Sequence, residues 1–408
     1  MNIWFSITIY DLATQSPLRE TNKEAVMGPL AGLKVIELEG LGPTPFCGML
    51  LGDLGADVLR VDRRSHADLG LEMPGPYDVR NRNKRSVALD IKSPDGLLTV
   101  LALVETADIL IEGFRPGVAE RLGIGPEPCL KRNPRLIYGR ATGWGQEGPM
   151  SQMAGHDINY IALSGALNMI GPADGPPVPP LNLLGDYGGG GLYLAFGLMA
   201  AVHERTRSHQ GQVVDCAMID GVTSLLSVFH AFRQLGQITP LRGANVLDGG
   251  APFYRCYQTR EGGHVAVGCI EPRFYDILLD VLGLDPKAMP DRDDRANWPG
   301  LCHLFGQIFL RRTREEWMVL FEGVDACLSP VLTLDEVGQH PHNRARSVLT
   351  EVEGVEQPRP TPRFSRTPGH IARVAPERGA HSRSVLTEWG VPNDLVERAF
   401  VSGAVVQA

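Results

Sequence analysis

The sequence lacks the features that mark several large classes of protein. Its 408 residues include only seven cysteines, an odd number with no Cys-x-x-Cys pair, which indicates reduced cytosolic thiols and not a disulfide framework. The longest apolar runs, such as residues 191–202, are too short and too rich in glycine to span a bilayer, so no membrane partner is expected. The net charge of -8 with scattered basic residues argues against a nucleic acid partner.

Signatures of nucleophilic and metal-dependent catalysis are also missing. There is no Gly-x-Ser-x-Gly elbow, and no cysteine has an activating histidine beside it. His340 and His342 invite interpretation as metal ligands, but no third ligand lies at a suitable spacing, so a solvated turn is the better interpretation. We expect neither a metal nor any other cofactor.

The first 27 residues differ from the rest because regular patterning begins only after Met27. They are expected to be an N-terminal extension, either disordered or the product of a misplaced start codon. Their apolar patch at residues 3–10 has no preceding basic residues and makes a poor signal peptide. This predicts a cytoplasmic location.

What the sequence does contain is a regular alternation of strand and helix patterns. Strands are expected at 33–39, 56–62, 108–112, 135–140 and 212–218, and helices at 46–54, 97–105, 156–169, 190–204 and 219–235. Such alternation predicts an α/β fold with a parallel, doubly wound sheet.

The pattern changes after residue 252. A hairpin is expected at 256–258 and 264–269, with amphipathic helices at 272–284 and 301–309 and a capping box formed by Thr313 and Glu316. These elements predict a second, smaller α+β domain. The stretch 357–378, rich in proline and arginine, is expected to lie extended over a surface before a last helix at 385–400.

The first strand is followed by Gly40-x-Gly42, with Asp62 at the end of the next strand, as in dinucleotide-binding proteins. However, Pro45 and Phe46 stand where close helix packing would want a third glycine, and Arg63 directly follows the acid. A tight turn from strand to helix, without nicotinamide or flavin binding, is therefore favoured.

Two residues of moderate pKa stand at the predicted starts of helices. His156 lies in the segment 155–160, and Asp186 precedes four consecutive glycines at 188–191. Either could be an ordinary helix-terminal residue. Four glycines disfavour a stable helix, however, and are easier to explain if backbone N–H groups approach a developing negative charge on a ligand. The same N–H groups at a helix start would also hold the Asp186 carboxylate ionised. Two such groups on opposite sides of one carbon are what a racemase requires.

These segments resemble the class III CoA-transferase (CaiB/BaiF) family, and within it the racemases. The likeness runs from about residue 28 to 366 and is carried by the segments 33–38, 52–63, 115–118, 133–138, 155–160, 182–191, 247–254, 270–272 and 325–327.

The resemblance implies a Rossmann-like large domain built from both ends of the chain and a smaller α+β domain between them. The expected bounds are 28–218 with 345–408 for the large domain, 219–253 for a helix and linker, 254–329 for the small domain and 330–344 for a return linker. The resemblance also implies an interlocked homodimer whose active site lies where one subunit's large domain meets its partner's small domain.

The resemblance further implies an acyl-CoA substrate, a 2-methyl-branched thioester whose (R) and (S) epimers interconvert through an enolate. His156 would deprotonate the (S)-epimer and Asp186 the (R)-epimer, with Glu271 of the partner subunit orienting His156. The alternative is a CoA-transferase that uses Asp186 as a nucleophile. Transferases usually lack a histidine matching His156, so the racemase is favoured.

The resemblance assigns CoA, which is part of the substrate, to three groups of residues. Arginine suits the phosphates because its planar fork forms two parallel charge-assisted hydrogen bonds. The expected contacts are Arg63, Leu89, Asp90, Ile91, Lys92 and Arg121 for adenosine and phosphate, Gly155, Asp157, Ile158, Asn159 and Tyr160 around His156, and Asn182 at the thioester. A backbone N–H near Asp157 is the expected donor to the enolate oxygen.

Overall fold

The computed structural model describes residues 28–65, 73 and 75–408. The expected N-terminal extension, residues 1–27, lies outside the described residues.

Seven strands form the main sheet, in the order β12-β3-β2-β1-β4-β5-β6. They are β1 (Lys34–Leu38), β2 (Asp57–Asp62), β3 (Lys84–Leu89), β4 (Ile109–Glu112), β5 (Ile137–Thr142), β6 (Gln212–Ala217) and β12 (Val405–Val406). All neighbours run parallel except β12, which is antiparallel to β3. The predicted parallel sheet is confirmed.

Helices cover both faces of this sheet because successive residues of a buried strand point to opposite sides. Val35 packs in one apolar cluster with α1 (Pro43–Asp53) and α6 (Tyr193–Ser208). Ile36 packs in another, whose helices are α2 (Pro94–Thr106), α3 (Val118–Arg121), α4 (Pro126–Arg132), α14 (Ser382–Glu388) and α15 (Asn393–Val401). The end of the chain thus returns to the main sheet. The single last helix predicted at 385–400 is wrong, because Gly390, with φ +81°, and Pro392 separate α14 from α15.

β3 is the one central strand of this sheet that the sequence patterns did not predict. The strand begins with Lys84-Arg85-Ser86, and three polar residues in a row are not typical of a buried strand. Lys84 is nevertheless fully buried, because its Nζ donates hydrogen bonds to Glu37 Oε1 at 2.8 Å and to two other oxygens. A buried ion pair, which hydropathy cannot show, makes this polar strand central.

A second sheet is antiparallel and has three strands, β7 (Tyr254–Gln258), β8 (His264–Gly268) and β9 (Leu328–Pro330). The predicted hairpin of β7 and β8 is confirmed. The sheet packs on α9 (Pro272–Val281), α10 (Trp298–Phe309) and α11 (Arg314–Leu320) through a cluster of aromatic side chains. The capping box of Thr313 and Glu316 is present at the start of α11.

The chain then returns to the main sheet through elements that the sequence patterns did not predict. They are α12 (Leu334–Val337), α13 (Pro341–Arg346) and a hairpin of β10 (Leu349–Val352) and β11 (Val355–Pro358). Residues 359–378 contain no helix or strand, as expected of a stretch rich in proline.

The elements between β5 and β7 carry the candidate site and differ in detail from the prediction. They are α5 (Asp157–Leu163), a π-helix (Leu183–Leu192) that continues into α6, α7 (Met218–Leu225) and α8 (Ser227–Gln234). The helix predicted at 156–169 ends six residues early, and the helix predicted at 219–235 breaks at Leu226.

Two expectations from composition can be compared with the fold. All seven cysteines are free, and four of them are buried, as expected for small apolar residues. In the part of the chain that the structure describes, the longest apolar helices fall short of what is needed to cross a membrane.

Candidate active site

A cleft of about 370 Å³ lies at the carboxyl ends of β1, β2, β4 and β5. In the main sheet β1 stands between β2 and β4, so the order of the strands reverses at this point, where ligands bind in open α/β sheets. The cleft is lined by residues 39–43, Arg63, residues 113–116, residues 141–144, Ser151, residues 153–156, Tyr160, Asp186 and Met218.

His156 reaches this cleft from the start of α5, where it is the N-cap residue. Its backbone N–H donates to Asn159 Oδ1 at 3.0 Å, and the Tyr160 hydroxyl donates to the carbonyl of Gly155. The Tyr160 ring packs edge-on against Trp144, with ring centroids 4.7 Å apart. These contacts fix the backbone around His156 while its side chain stays exposed.

Asp186 reaches the same cleft from the first turn of the π-helix. Asn182, which is predicted to touch the thioester, donates from Nδ2 to Asp186 Oδ2 at 3.0 Å. Burial raises the pKa of the Asp186 carboxyl; the Asn182 hydrogen bond opposes this and the charge of Asp157 adds to it. Burial thus opposes the effect expected of the helix N-terminus, which would favour the ionised carboxylate.

The four glycines after Asp186 also have a different role from the one predicted. They lie inside the π-helix, so their N–H groups are not at its open end. A Cβ on Gly189 would stand 2.7 Å from the backbone nitrogen of Val222 in α7, and one on Gly190 2.8 Å from Pro43 in α1. Gly189 and Gly190 therefore let two helices pack closely against the π-helix backbone.

Gly42 forms the wall of the cleft beside Asp186. Its φ is +62°, and a Cβ there would lie 3.0 Å from the Asp186 carboxyl carbon. Any side chain at this position would push against the carboxylate. The glycine of the Gly40-x-Gly42 turn thus makes room for the Asp186 side chain. Asp62, the candidate ribose ligand, is buried, accepts a hydrogen bond from Ser86 and pairs with Arg60.

The other predicted contacts divide into three groups by position. Arg63, Gly155 and Tyr160 line the cleft, whereas Asp157, Ile158, Asn159 and Arg121 do not. The Leu89 side chain is 1% exposed in the core, so it has no surface to offer CoA. Asp90, Ile91 and Lys92 follow β3 at the same edge of the sheet, where Arg64 pairs with Asp90 at 3.4 Å.

Glu271 lies elsewhere in the same chain. It is the exposed N-cap residue of α9 and does not line the cleft. A single chain thus brings together His156 and Asp186 and leaves Glu271 outside. No cluster of three or more potential metal ligands occurs among the residues described.

Several cleft residues were not predicted from the sequence. Trp144 stands between two glycines directly after β5, and Arg115 follows β4 within a segment that carries the resemblance, so position at a strand end could have indicated both. Glu39 accepts hydrogen bonds from the backbone of Arg63 and from Arg378, which lies more than 300 residues away. Only the fold reveals that contact.

The sequence and the fold were compared with those of known proteins. Residues 30–382 match the model of CoA-transferase family III. The chain is 47% identical to α-methylacyl-CoA racemase of Mus musculus and 44% identical to that of Homo sapiens, each over 90% of this chain and 95% of the relative. A crystal structure of a CAIB/BAIF family protein from Brucella suis superposes with a TM-score of 0.76 at 26% identity, over 89% of this chain and all of that one. The chain therefore belongs to CoA-transferase family III.

Proposed function

We propose that this protein is a racemase that interconverts (R)- and (S)-2-methylacyl-CoA. The observation that carries the proposal is that His156 and Asp186, supplied by two different elements, face one cleft at the switch point of the sheet. The similarity to α-methylacyl-CoA racemases over 90% of the chain supports the same reaction.

The chemistry needs two proton-transfer groups and a donor to the thioester oxygen. His156 removes the α-proton of the (S)-epimer and Asp186 that of the (R)-epimer, and each group returns a proton from its own side. The Asp157 side chain lies outside the cleft, but its backbone N–H directly follows His156, which lines the cleft. This N–H is the first of α5, has no acceptor within its own helix and suits the enolate oxygen. Because side chains and backbone supply every step, the proposal needs no metal or other cofactor.

CoA would lie along the carboxyl edge of the main sheet. Arg63 at the end of β2 and Lys92 beyond β3 offer positive charge to its phosphates there. Arg121, on the exposed end of α3, would be the outermost contact. Leu89 would contribute only through its backbone, because its side chain is buried.

A homodimer with interlocked subunits is part of the proposal. Large apolar side chains of the π-helix, of α6 and of the residues before them are exposed in the single chain, among them Leu181 at 76%, Phe196 at 75% and Leu183 at 56%. Exposed apolar side chains of this size favour an interface when they lie together. A second copy would cover them and supply its Glu271 to His156.

The runner-up function, CoA transfer with Asp186 as nucleophile, is tested by its covalent intermediate. The protein is incubated with 2-methylacyl-CoA, a labelled free carboxylic acid and hydroxylamine. A racemase gives no labelled acyl-CoA and no hydroxamate on Asp186 by mass spectrometry. Transfer of CoA to the labelled acid, together with an Asp186 hydroxamate, would replace the proposal by the transferase.

The proposal makes a prediction about pH. Because burial raises the pKa of Asp186, the rate at which the (R)-epimer exchanges its α-hydrogen should fall with decreasing pH around a midpoint above ~3.9, the ordinary value for aspartate. The exchange rate falls at low pH because only the ionised carboxylate can act as the base. The measurement is the initial rate of α-deuterium uptake by each epimer from about pH 3 to 8. A midpoint at or below the ordinary aspartate value would contradict the burial argument.

The turn at Gly42 gives a second prediction. Gly42→Ala places a methyl group against the Asp186 carboxylate and forces a left-handed backbone on alanine, so kcat should fall about 10²-fold through misplacement of the carboxylate. Gly306→Ala in α10 is the control, because a Cβ there meets nothing within 4 Å. Comparable kcat values for the two variants would show that the close approach of Gly42 to Asp186 has no catalytic consequence.

A further inference from the structure

One buried carboxylate links the two sides of the cleft without lining it. Asp157 directly follows His156 as the first residue of α5 and is 6% exposed. Its Oδ2 accepts the backbone N–H of Gly185 at 2.6 Å and that of Asp186 at 2.7 Å. The first N–H groups of a helix have no partner within it, so Asp157 caps the π-helix from another element.

We propose that the Asp157 side chain is a positioning residue that fixes Asp186 relative to His156. This inference rests on the proposed function, in which those two residues act on opposite faces of one carbon. Asp157 is adjacent to one of them in the chain and hydrogen-bonded to the backbone of the other. A single side chain thereby sets the separation of the two proton-transfer groups.

The local sequence is fitted to this contact. A Cβ on Gly185 would lie 2.5 Å from Asp157 Oδ2, so only glycine allows the carboxylate to approach the helix start this closely. The π-helix is an uncommon form that is frequently found at functional sites.

The charge on Asp157 has a second effect. Its Oδ1 is buried and has no hydrogen-bond partner among the described residues, although leaving such an atom unpaired is costly. A neutral amide could cap the same two N–H groups through its oxygen. The retained negative charge contributes to the raised pKa of Asp186, after the larger effect of burial. Asp157 therefore acts on Asp186 through geometry and through charge.

Two variants separate these effects. Asp157→Ala removes the cap, so kcat should fall about 10²-fold with KM unchanged, because misplacing a reacting group by about 1 Å has an effect of that size. Asp157→Asn keeps an acceptor but loses the charge, so kcat should stay within about 10-fold of the wild-type value while the low-pH limb for the (R)-epimer moves to lower pH. Asp294→Asn is the matched control, since Asp294 also caps a backbone N–H but lies far along the chain in an exposed turn.

Amide hydrogen exchange at residues 185 and 186 provides a readout that does not depend on turnover. Asp157→Ala should raise their exchange rates, whereas Asp294→Asn should not. Unchanged amide protection, or a pH limb in Asp157→Asn that coincides with that of the wild type, would overturn the inference. If the wild-type protein racemises no substrate but Asp157→Ala still loses amide protection, the proposed function is wrong. The inference that Asp157 positions Asp186 would then remain.

Discussion

Replacing either His156 or Asp186 alone is expected to abolish racemisation and yet leave α-hydrogen exchange in one epimer. In His156→Ala the carboxylate of Asp186 still removes the α-proton of the (R)-epimer and returns a solvent deuteron to the same face. In Asp186→Ala the imidazole does the same for the (S)-epimer. The exchange that depends on the missing base should fall about 10²- to 10⁴-fold, the usual contribution of a positioned general base.

The structure makes this prediction specific because the two groups reach the cleft from separate elements. His156 is held by the start of α5 and Asp186 by the π-helix, so loss of one side chain leaves the backbone of the other in place. Exchange is followed for each pure epimer by loss of the α-proton signal in D₂O. His203→Ala, which removes an exposed histidine of α6, is the control and should behave like the wild type.

Two results would contradict the assignment of the bases. Equal loss of exchange from both epimers in His156→Ala would indicate one base serving both faces. Retention of exchange in a His156→Ala, Asp186→Ala double variant would show that neither residue is needed.

Replacing Lys84 by methionine is expected to give the largest loss of stability. Lys84 and Glu37 are 0% and 1% exposed, and Lys84 Nζ also donates to the carbonyl of Pro45 at 3.0 Å and to Asn81 at 2.9 Å. Burial raises the pKa of Glu37 and lowers that of Lys84, as expected of charges removed from water. Removing one partner of such a pair costs ~3–5 kcal/mol, because it leaves the other charge buried and uncompensated.

The measurement is denaturant unfolding of the single variant and of a Glu37→Leu, Lys84→Met double variant. The double variant should regain most of the lost stability, because an apolar pair replaces a buried ion pair at little cost. Arg132→Ala breaks a pair with Glu105 whose side chains are 40% and 50% exposed, and it should cost less than ~1 kcal/mol. A double variant as unstable as Lys84→Met would show that the loss comes from the strand and not from the unpaired charge.

The same ion pair shows why part of the fold could be predicted from the sequence and part could not. Hydropathy predicts the apolar strands β1, β2, β4 and β5, and the helix predicted at 97–105 corresponds to α2. Hydropathy does not predict β3, because its lysine is compatible with burial only when Glu37 faces it across β2. The ion pair between Glu39 and Arg378 likewise joins distant parts of the chain, so local sequence cannot indicate it.

The candidate site divides in the same way. His156 and Asp186 could be predicted because residue types and local motifs carry proton chemistry. The role of the glycines at 188–191 could not, because a close approach to a helix and a close approach to a ligand demand the same residue. The partners of Asn182 and Asp157 likewise depend on how the π-helix lies beside α5.

The measurement that tests the central claim most directly is proton NMR of pure (S)-2-methylacyl-CoA with the wild-type protein in D₂O, in the absence of any acceptor acid. The account predicts that deuterium replaces the α-hydrogen while the (R)-epimer accumulates to an equilibrium mixture. An α-hydrogen that persists, with the (S)-epimer unchanged until a free carboxylic acid is added and CoA passes to it, would contradict the account.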